Sequence, residues 1–280
     1  MSGGGTTDID ETAGPVAASA APRLDKRVAV ITGASRGIGR GIAEAFLAEG
    51  AAVVISGKSQ EKGLQAIEEM GVGDRATFVQ CDVRRREDVD NLIDQTAKQY
   101  GSVDVLVNNA GGTEGWGLVH ELTDEAWDNA LNWNLNASFW ASRRALKYML
   151  DRGWGRIINI SSVEGKQANK PMVSHYITNK HAINGLTKAI AFEYGTKGIT
   201  CNAICPGAIE TDIMRTAGPQ VAEQSGITYE QFLDNYAQES AIKRLNTVEE
   251  VAAMAVLLAS EVGGGITGAL LNVDGGTAQW

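Results

Sequence analysis

RVAVITGASRGIG, residues 27–39, is the stretch on which the fold turns. Arg27 to Thr32 (RVAVIT) is a short apolar run rich in β-branched residues, the pattern of a strand buried on both faces. Gly33 to Gly39 (GASRGIG) follows, and a helical pattern continues through Glu49. Strand, glycine-rich turn and helix start together make a phosphate cradle. The glycines let backbone approach a ligand, and N–H groups of the first helical turn point at an anion. Gly33, Ser35, Arg36, Gly37, Ile38 and Gly39 are its candidate contacts. The spacing Gly33-xxx-Gly37-x-Gly39 differs from G-x-G-x-x-G but serves the same physical end. The alternative is a tight βα turn with no ligand.

Outward from this unit the strand pattern recurs. Further strands are expected at Ala52–Ser56, Ala76–Gln80, Val103–Val107, Arg156–Ile160, Ile199–Cys205 and Ala269–Val273, with a regular helix at 248–260. The residues at their ends carry the chemistry. A carboxylate after the second strand would bind the ribose 2′-hydroxyl of NAD. This chain has Ser56-Gly57-Lys58-Ser59 there, and Arg36 in the glycine loop can approach the same region. Cations and hydroxyls suit a 2′-phosphate, so NADP(H) is favoured and NAD(H) kept as the alternative. Lys58 also reads as an ordinary solvated loop lysine. Asp82, before Val83, either binds an adenine amino group or caps the helix that starts near Arg86. Asn108-Asn109-Ala110-Gly111 permits close approach of a cofactor, and equally suits a plain turn.

Ser161 to Lys180 (SSVEGKQANKPMVSHYITNK) follows the fifth strand and enters a helix at about Ser174. Tyr176 and Lys180 are four apart and share a helical face. A nearby ammonium favours phenolate and lowers the phenol's pKa, and a serine at the strand end can hold a substrate oxygen beside it. That is a general acid/base site for a carbonyl or alcohol. The competing reading is a solvated Tyr/Lys face. Cys81, Cys201 and Cys205 have no metal-like or disulfide spacing and read as buried free thiols. His175 neighbours Tyr176 but does not share its face, which argues for packing.

These motifs occur together and in order, and the chain resembles the classical short-chain dehydrogenase/reductase family over about residues 25–280. The matching residues are Thr32-Gly33-xxx-Gly37-x-Gly39, Asp82, Asn108-Asn109-Ala110-Gly111, Asn134, Ser162, Tyr176-xxx-Lys180 and Pro206-Gly207. The resemblance implies one Rossmann-fold α/β domain, a doubly wound parallel sheet of about seven strands with helices on both faces. It implies a catalytic set of Asn134, Ser162, Tyr176 and Lys180, with Asn132 and Asn136 as close competitors of Asn134. It also implies that Pro206, Gly207, Ile209 and Thr211 approach the nicotinamide. The pattern is similar to 3-oxoacyl carrier protein reductases. The ending VDGGTAQW is similar to 3-hydroxybutyrate dehydrogenases, which usually use NAD, and the loop GKQAN to aromatic polyketide ketoreductases. A non-catalytic dinucleotide sensor is the alternative of another class.

Substrate contacts are expected from Trp116, Glu164, Gln167 and Met214 beside Ser162 and Tyr176, with Glu164 also read as a solvent-facing loop residue. Residues 212–240 read as a substrate lid, with a purely structural insertion as the equal alternative. Residues 1–24 lack the layout of a secretory signal and read as a disordered tail, and a cytoplasmic location is the default. The net charge of −9 argues against a nucleic-acid partner, and no apolar run is long enough for a membrane span. The expected partner is a small carbonyl or alcohol. The resemblance adds a homotetramer with contacts at the C-terminal Thr277 to Trp280.

Overall fold

The computed structural model describes residues 23–278. In chain order the elements are β1 (Val28–Ile31), α1 (Gly37–Ala48), β2 (Ala52–Gly57), α2 (Gln60–Met70), β3 (Ala76–Gln80) and α3 (Arg86–Tyr100). There follow β4 (Val105–Asn108), α4 (Asp124–Leu131), α5 (Ala137–Arg152), β5 (Gly155–Ile160) and α6 (Ser174–Tyr194). The chain continues through β6 (Ile199–Pro206), α7 (Asp212–Gln224), α8 (Tyr229–Glu239), α9 (Val248–Ala259) and β7 (Leu270–Val273).

The strands form one parallel sheet in the order β3-β2-β1-β4-β5-β6-β7. Successive crossovers build away from β1 through β2 to β3, then return to lay β4 on its other side. The connections leaving β1 and β4 therefore diverge, which opens a crevice beyond their carboxyl ends. Neighbouring residues of one strand enter opposite cores, as the two-residue strand period requires. Ile31 packs with Ile42 and Phe46 of α1 and Val251 and Ala255 of α9. Val30 packs with Leu92 and Ile93 of α3 and Met149 of α5. Gly41 allows the first layer its close packing: a Cβ there would stand 2.1 Å from Val248 Cγ1.

Two buried polar groups set the relation of the strands. Asp104 Oδ2 accepts from the Val28 N–H and the Ser102 hydroxyl, each at 2.9 Å, and so ties the starts of β1 and β4. Asn108 and Asn159 are register partners in β4 and β5. Asn108 Nδ2 donates to Asn159 Oδ1 at 2.8 Å and to Ser142 of α5 at 3.0 Å, and Asn159 Nδ2 donates to Thr187 of α6 at 2.9 Å. This chain of buried amides and hydroxyls holds α5 and α6 against the sheet, and those helices flank the candidate chemistry.

The folded part begins earlier than the sequence implies. Leu24, read as tail, is buried at 1% exposure, and its N–H donates to Glu49 O at 2.9 Å. The rest of the expected tail, and Gln279 and Trp280 of the expected subunit contact, lie outside the described residues. Residues 212–240 form two helices, α7 and α8. They pack closely at Gly218, where a Cβ would meet the Tyr229 ring at 2.5 Å.

Candidate active site

The glycine turn bends as the cradle reading requires. Gly33 and Gly37 have φ of +64° and +59°, the left-handed region that favours glycine. A Cβ on Gly33 would lie 3.0 Å from Ala110 Cα, and one on Gly39 would lie 2.4 Å from Asn109 Nδ2. The N-cap of α1, Arg36, makes no side-chain cap, and the first turn carries no acid. Its orphan N–H groups face the crevice, the arrangement that binds phosphate.

From this turn runs a cavity of about 520 Å³. Its lining includes Gly33, Ser35, Arg36, Gly37, Ile38, Lys58, Ser59, Asp82, Val83, Asn109, Ala110, Gly111, Ser162, Tyr176, Lys180, Pro206, Gly207 and Thr211. The structure thus brings most of the expected cofactor residues to one surface. Three stand apart from it. Gly39 is buried behind the turn. Ser56 is fully buried in β2, and Ile209 is buried and bridges to Asn246.

The end of the cavity beside β2 is cationic. Lys62 and Arg84 join Arg36 and Lys58 in the lining. Arg36 is exposed, and among the described residues it forms no ion pair. Arg84 contacts both Asp82 carboxylate oxygens at 3.2 Å, lies 3.8 Å from Glu114 and stands 5.9 Å from the centre of the Trp133 ring. Lys58 Nζ is 3.6 Å from Asp82. Burial raises the Asp82 pKa, but the hydrogen bonds and charge of Arg84 and the charge of Lys58 outweigh it and hold the carboxyl below its ordinary value. The helix-cap reading of Asp82 is corrected. Its carboxylate accepts from the Arg84 N–H at 3.1 Å, while α3 starts after an uncapped Arg85. Lys62, Arg84 and Trp133 were not singled out from sequence. The run Arg84-Arg85-Arg86 directly after a strand, and a lysine four residues beyond Lys58, were the available signals.

At the other end stand Ser162, Tyr176 and Lys180. Lys180 is buried, and its Nζ donates to Ile160 O at 2.8 Å and lies 5.4 Å from the centre of the Tyr176 ring. Burial pushes its pKa down to about 8. The Tyr176 pKa is raised. Burial is the main cause, the negative charge of Glu164 adds to it, and a hydrogen bond with Ser162 opposes it. This corrects the expectation that the lysine would pull the phenol down: the ammonium is turned to a carbonyl, and desolvation of the phenolate dominates. Glycine gives Asn134 and Lys180 a common neighbour. A Cβ on Gly111 would lie 2.6 Å from Asn134 Oδ1 and 3.6 Å from Lys180 Nζ.

Asn134 sits in a π-helical turn, Asn132–Asn136, between α4 and α5. It is buried at 1% exposure and lies outside the cavity lining. Its Nδ2 donates to Gly112 O at 2.8 Å and Ala130 O at 2.9 Å, and its Oδ1 accepts from the Gly112 N–H at 3.1 Å. Its competitors, Asn136 and Asn132, hydrogen-bond each other at 2.7 Å. His175 is fully buried and packs as expected, with Nε2 2.6 Å from Thr113 Oγ1.

The expected substrate contacts fare less well. Trp116 is 66% exposed and, with Gln167 and Met214, lies outside the cavity lining. Glu164 is buried at 6%, against the solvent-facing reading, and does not line the cavity either.

The depressed Lys180 pKa has a consequence for stability. Between about pH 8 and 10.5 the unfolded chain binds more protons than the folded one, so the cofactor-free protein gains stability as pH rises through that window. The advantage of Lys180→Met over wild type in urea unfolding should therefore shrink by roughly 2–3 kcal/mol between neutral pH and about pH 10.5. A difference that does not change with pH would show that the buried ammonium is not strained.

A nicotinamide dinucleotide fits these residues: the left-handed Gly33 and Gly37 shape a turn that lines the cavity, and the uncapped N-terminus of α1 at that turn suits its pyrophosphate. Comparison with known proteins gives the same answer. A family model described as short chain dehydrogenase matches residues 27–222. The chain is 37% identical to a 3beta-hydroxysteroid dehydrogenase of Mediterraneibacter gnavus over 265 residues, 91% of this chain and 95% of the relative. It is 36% identical to a D-beta-hydroxybutyrate dehydrogenase of Rhizobium meliloti over 261 residues, 90% and 99% of the two chains. Among solved structures, the actinorhodin polyketide ketoreductase with NADPH superposes with a TM-score of 0.86 at 35% identity, covering 93% of this chain and all of that one (100%). Sheet order, cradle and sequence agree that this chain belongs to the short-chain dehydrogenase/reductase family and is an NAD(P)-dependent oxidoreductase acting on a secondary alcohol or its ketone.

Proposed function

We propose that the enzyme is an NADPH-preferring ketone reductase, similar in its chemistry to 3-oxoacyl reductases. The observation that carries this reading is one cavity with Ser162, Tyr176 and Lys180 at one end and Arg36, Lys58, Lys62 and Arg84 at the other. The bound dinucleotide supplies or accepts the hydride at the carbonyl carbon. Ser162 holds the carbonyl oxygen by its hydroxyl. Tyr176, a phenol whose pKa burial raises further above neutrality, donates its proton to that oxygen as negative charge develops. Lys180 holds the nicotinamide ribose and, as its ammonium, stabilises the phenolate left behind. Asn134 holds the backbone of Gly112 and Ala130 and anchors the path by which the lysine is reprotonated. In the reverse direction Tyr176 must first lose its proton, so alcohol oxidation gains rate as pH rises.

The cofactor preference rests on the end of β2, which has no carboxylate, and on the four cations. Similarity to the ketoreductase solved with NADPH supports it. Residues 23–278 are read as one domain, with α7 and α8 as the lid over the substrate end. Self-association, as a homotetramer, is supported by two exposed phenylalanines on α5 and α6: Phe139 at 42% and Phe192 at 93%. A reducing cytoplasmic location is in keeping with three buried, free cysteines. No helix of the described residues is long and apolar enough to cross a membrane.

Three measurements test this reading. Tyr176→Phe should lower kcat for ketone reduction by about 10²–10⁴-fold while leaving the dissociation constant for NADPH within a few-fold; retained turnover would remove the phenol from the mechanism. Arg36→Ala and Lys58→Ala should each reduce kcat/KM for NADPH about tenfold and leave that for NADH nearly unchanged. A wild-type preference for NADH would overturn the cofactor assignment. Light scattering should give a tetramer for the wild type and a smaller species for Phe192→Glu; a monomeric wild type would refute the assembly.

A further inference from the structure

One buried carboxyl near the chemistry is not used by the mechanism above. Glu164 follows Ser162 by two residues, in the 3₁₀ turn Val163–Gly165 that leaves β5. It is 6% exposed, and its Oε2 has no hydrogen-bond partner among the described residues. An unpaired carboxyl oxygen in the interior is costly, and a donor brought to it would be bound favourably. Its own N–H donates to the Ser162 hydroxyl at 3.1 Å, and the loop 166–173 follows directly on its turn. Glu164 thus sits next to Ser162 but enclosed behind the cavity lining, so a ligand reaches Oε2 only if its surroundings shift.

The cations around it are engaged elsewhere. Lys166 Nζ donates to Asn272 Oδ1 at 2.8 Å. Lys170 pairs with Glu239 of α8, and its Nζ lies 4.5 Å from the centre of the Tyr236 ring. Lys180 is turned to Ile160 O at 2.8 Å. A substrate carboxylate arriving here would meet the like charge of Glu164, and each of these lysines already holds a hydrogen-bond partner. A substrate hydroxyl would find a lone pair without a donor.

Resting on the reduction site proposed above, we propose that Glu164 is its specificity residue, selecting neutral ketones and alcohols that carry a second hydroxyl and rejecting small carboxylates. The second hydroxyl donates to Oε2 as the loop 166–173 yields to the substrate. Specificity built this way is a matter of polar groups left paired or unpaired, which discriminates more sharply than apolar contact.

Three four-carbon alcohols matched in shape test it: butane-1,3-diol, 2-butanol and 3-hydroxybutyrate, each oxidised with NADP⁺. Wild type should rank them in that order by kcat/KM, with the diol ahead of the acid by roughly a hundredfold. Glu164→Gln should narrow the diol-to-acid ratio about tenfold, mainly by lowering KM for the acid, and Glu164→Ala should also remove the advantage of the diol over 2-butanol. Unchanged NADP⁺ affinity in both variants shows that the site is intact. The same ranking should appear in calorimetric binding to the Tyr176→Phe complex with NADP⁺, which reads selection without turnover. Preference of the wild type for 3-hydroxybutyrate, a ratio unmoved by Glu164→Gln, or binding of neither diol nor acid would overturn the proposal. Failure of the underlying reading has a different signature: Tyr176→Phe would then oxidise all three at wild-type rates.

Discussion

The carboxyl ends of β1 and β4 have to meet in backbone contact, and the site depends on that meeting. Thr32 Oγ1 accepts from the N–H groups of both Asn109 and Ala110 at 3.0 Å. Asn109 Nδ2 donates in return to Thr32 O at 2.9 Å and Gly33 O at 3.0 Å. These two strands are neighbours only because the strand order reverses between them. No hairpin joins a parallel pair, so side chains must hold the strand ends together. The left-handed Gly33, with no Cβ to strike Ala110, makes the contact possible. The cavity floor is the surface that this lacing leaves.

A second buried network refers the reacting groups to the same strands. Through Asn108 and Asn159, the sheet holds Ser142 of α5 and Thr187 of α6. One helix continues from the π-turn bearing Asn134, and the other carries Tyr176 and Lys180. Buried polar chains of this kind are stabilising only when their members are paired. Electrostatics then divide the cavity. In a protein of net charge −9, Arg36, Lys58, Lys62 and Arg84 collect at one end, where a crevice between low-dielectric walls focuses their field. At the other end burial raises the pKa of Tyr176 and weakens the proton affinity of Lys180.

Most of the architecture could be read in the sequence because strands buried on both faces are continuous apolar runs. All seven expected strands are present, with ends displaced by at most two residues. The cradle and the Tyr176–Lys180 pair were readable for a similar reason, since helix and turn geometry convert sequence spacing directly into position. Substrate contacts were not. Trp116 and Gln167 sit on connections and Met214 on α7, elements whose paths depend on distant packing, and each ends away from the cavity. Arg84 and Trp133 meet from two separate elements, and although the arginine run after β3 was visible, no local pattern reports that meeting.

The sequence by itself determined the elements, their alternation and the chemical character of the strand ends, because these follow from local periodicity and from the conformational range of glycine. It also held the candidates Asn132, Asn134 and Asn136 without separating them. Only the tertiary structure decided that Asn134 is the buried one, that Asp82 pairs with Arg84 rather than capping α3, and that Glu164 is enclosed beside Ser162. Each of these turns on desolvation and on partners far along the chain. Burial and charge pairing act through space, and only the folded chain brings those partners together.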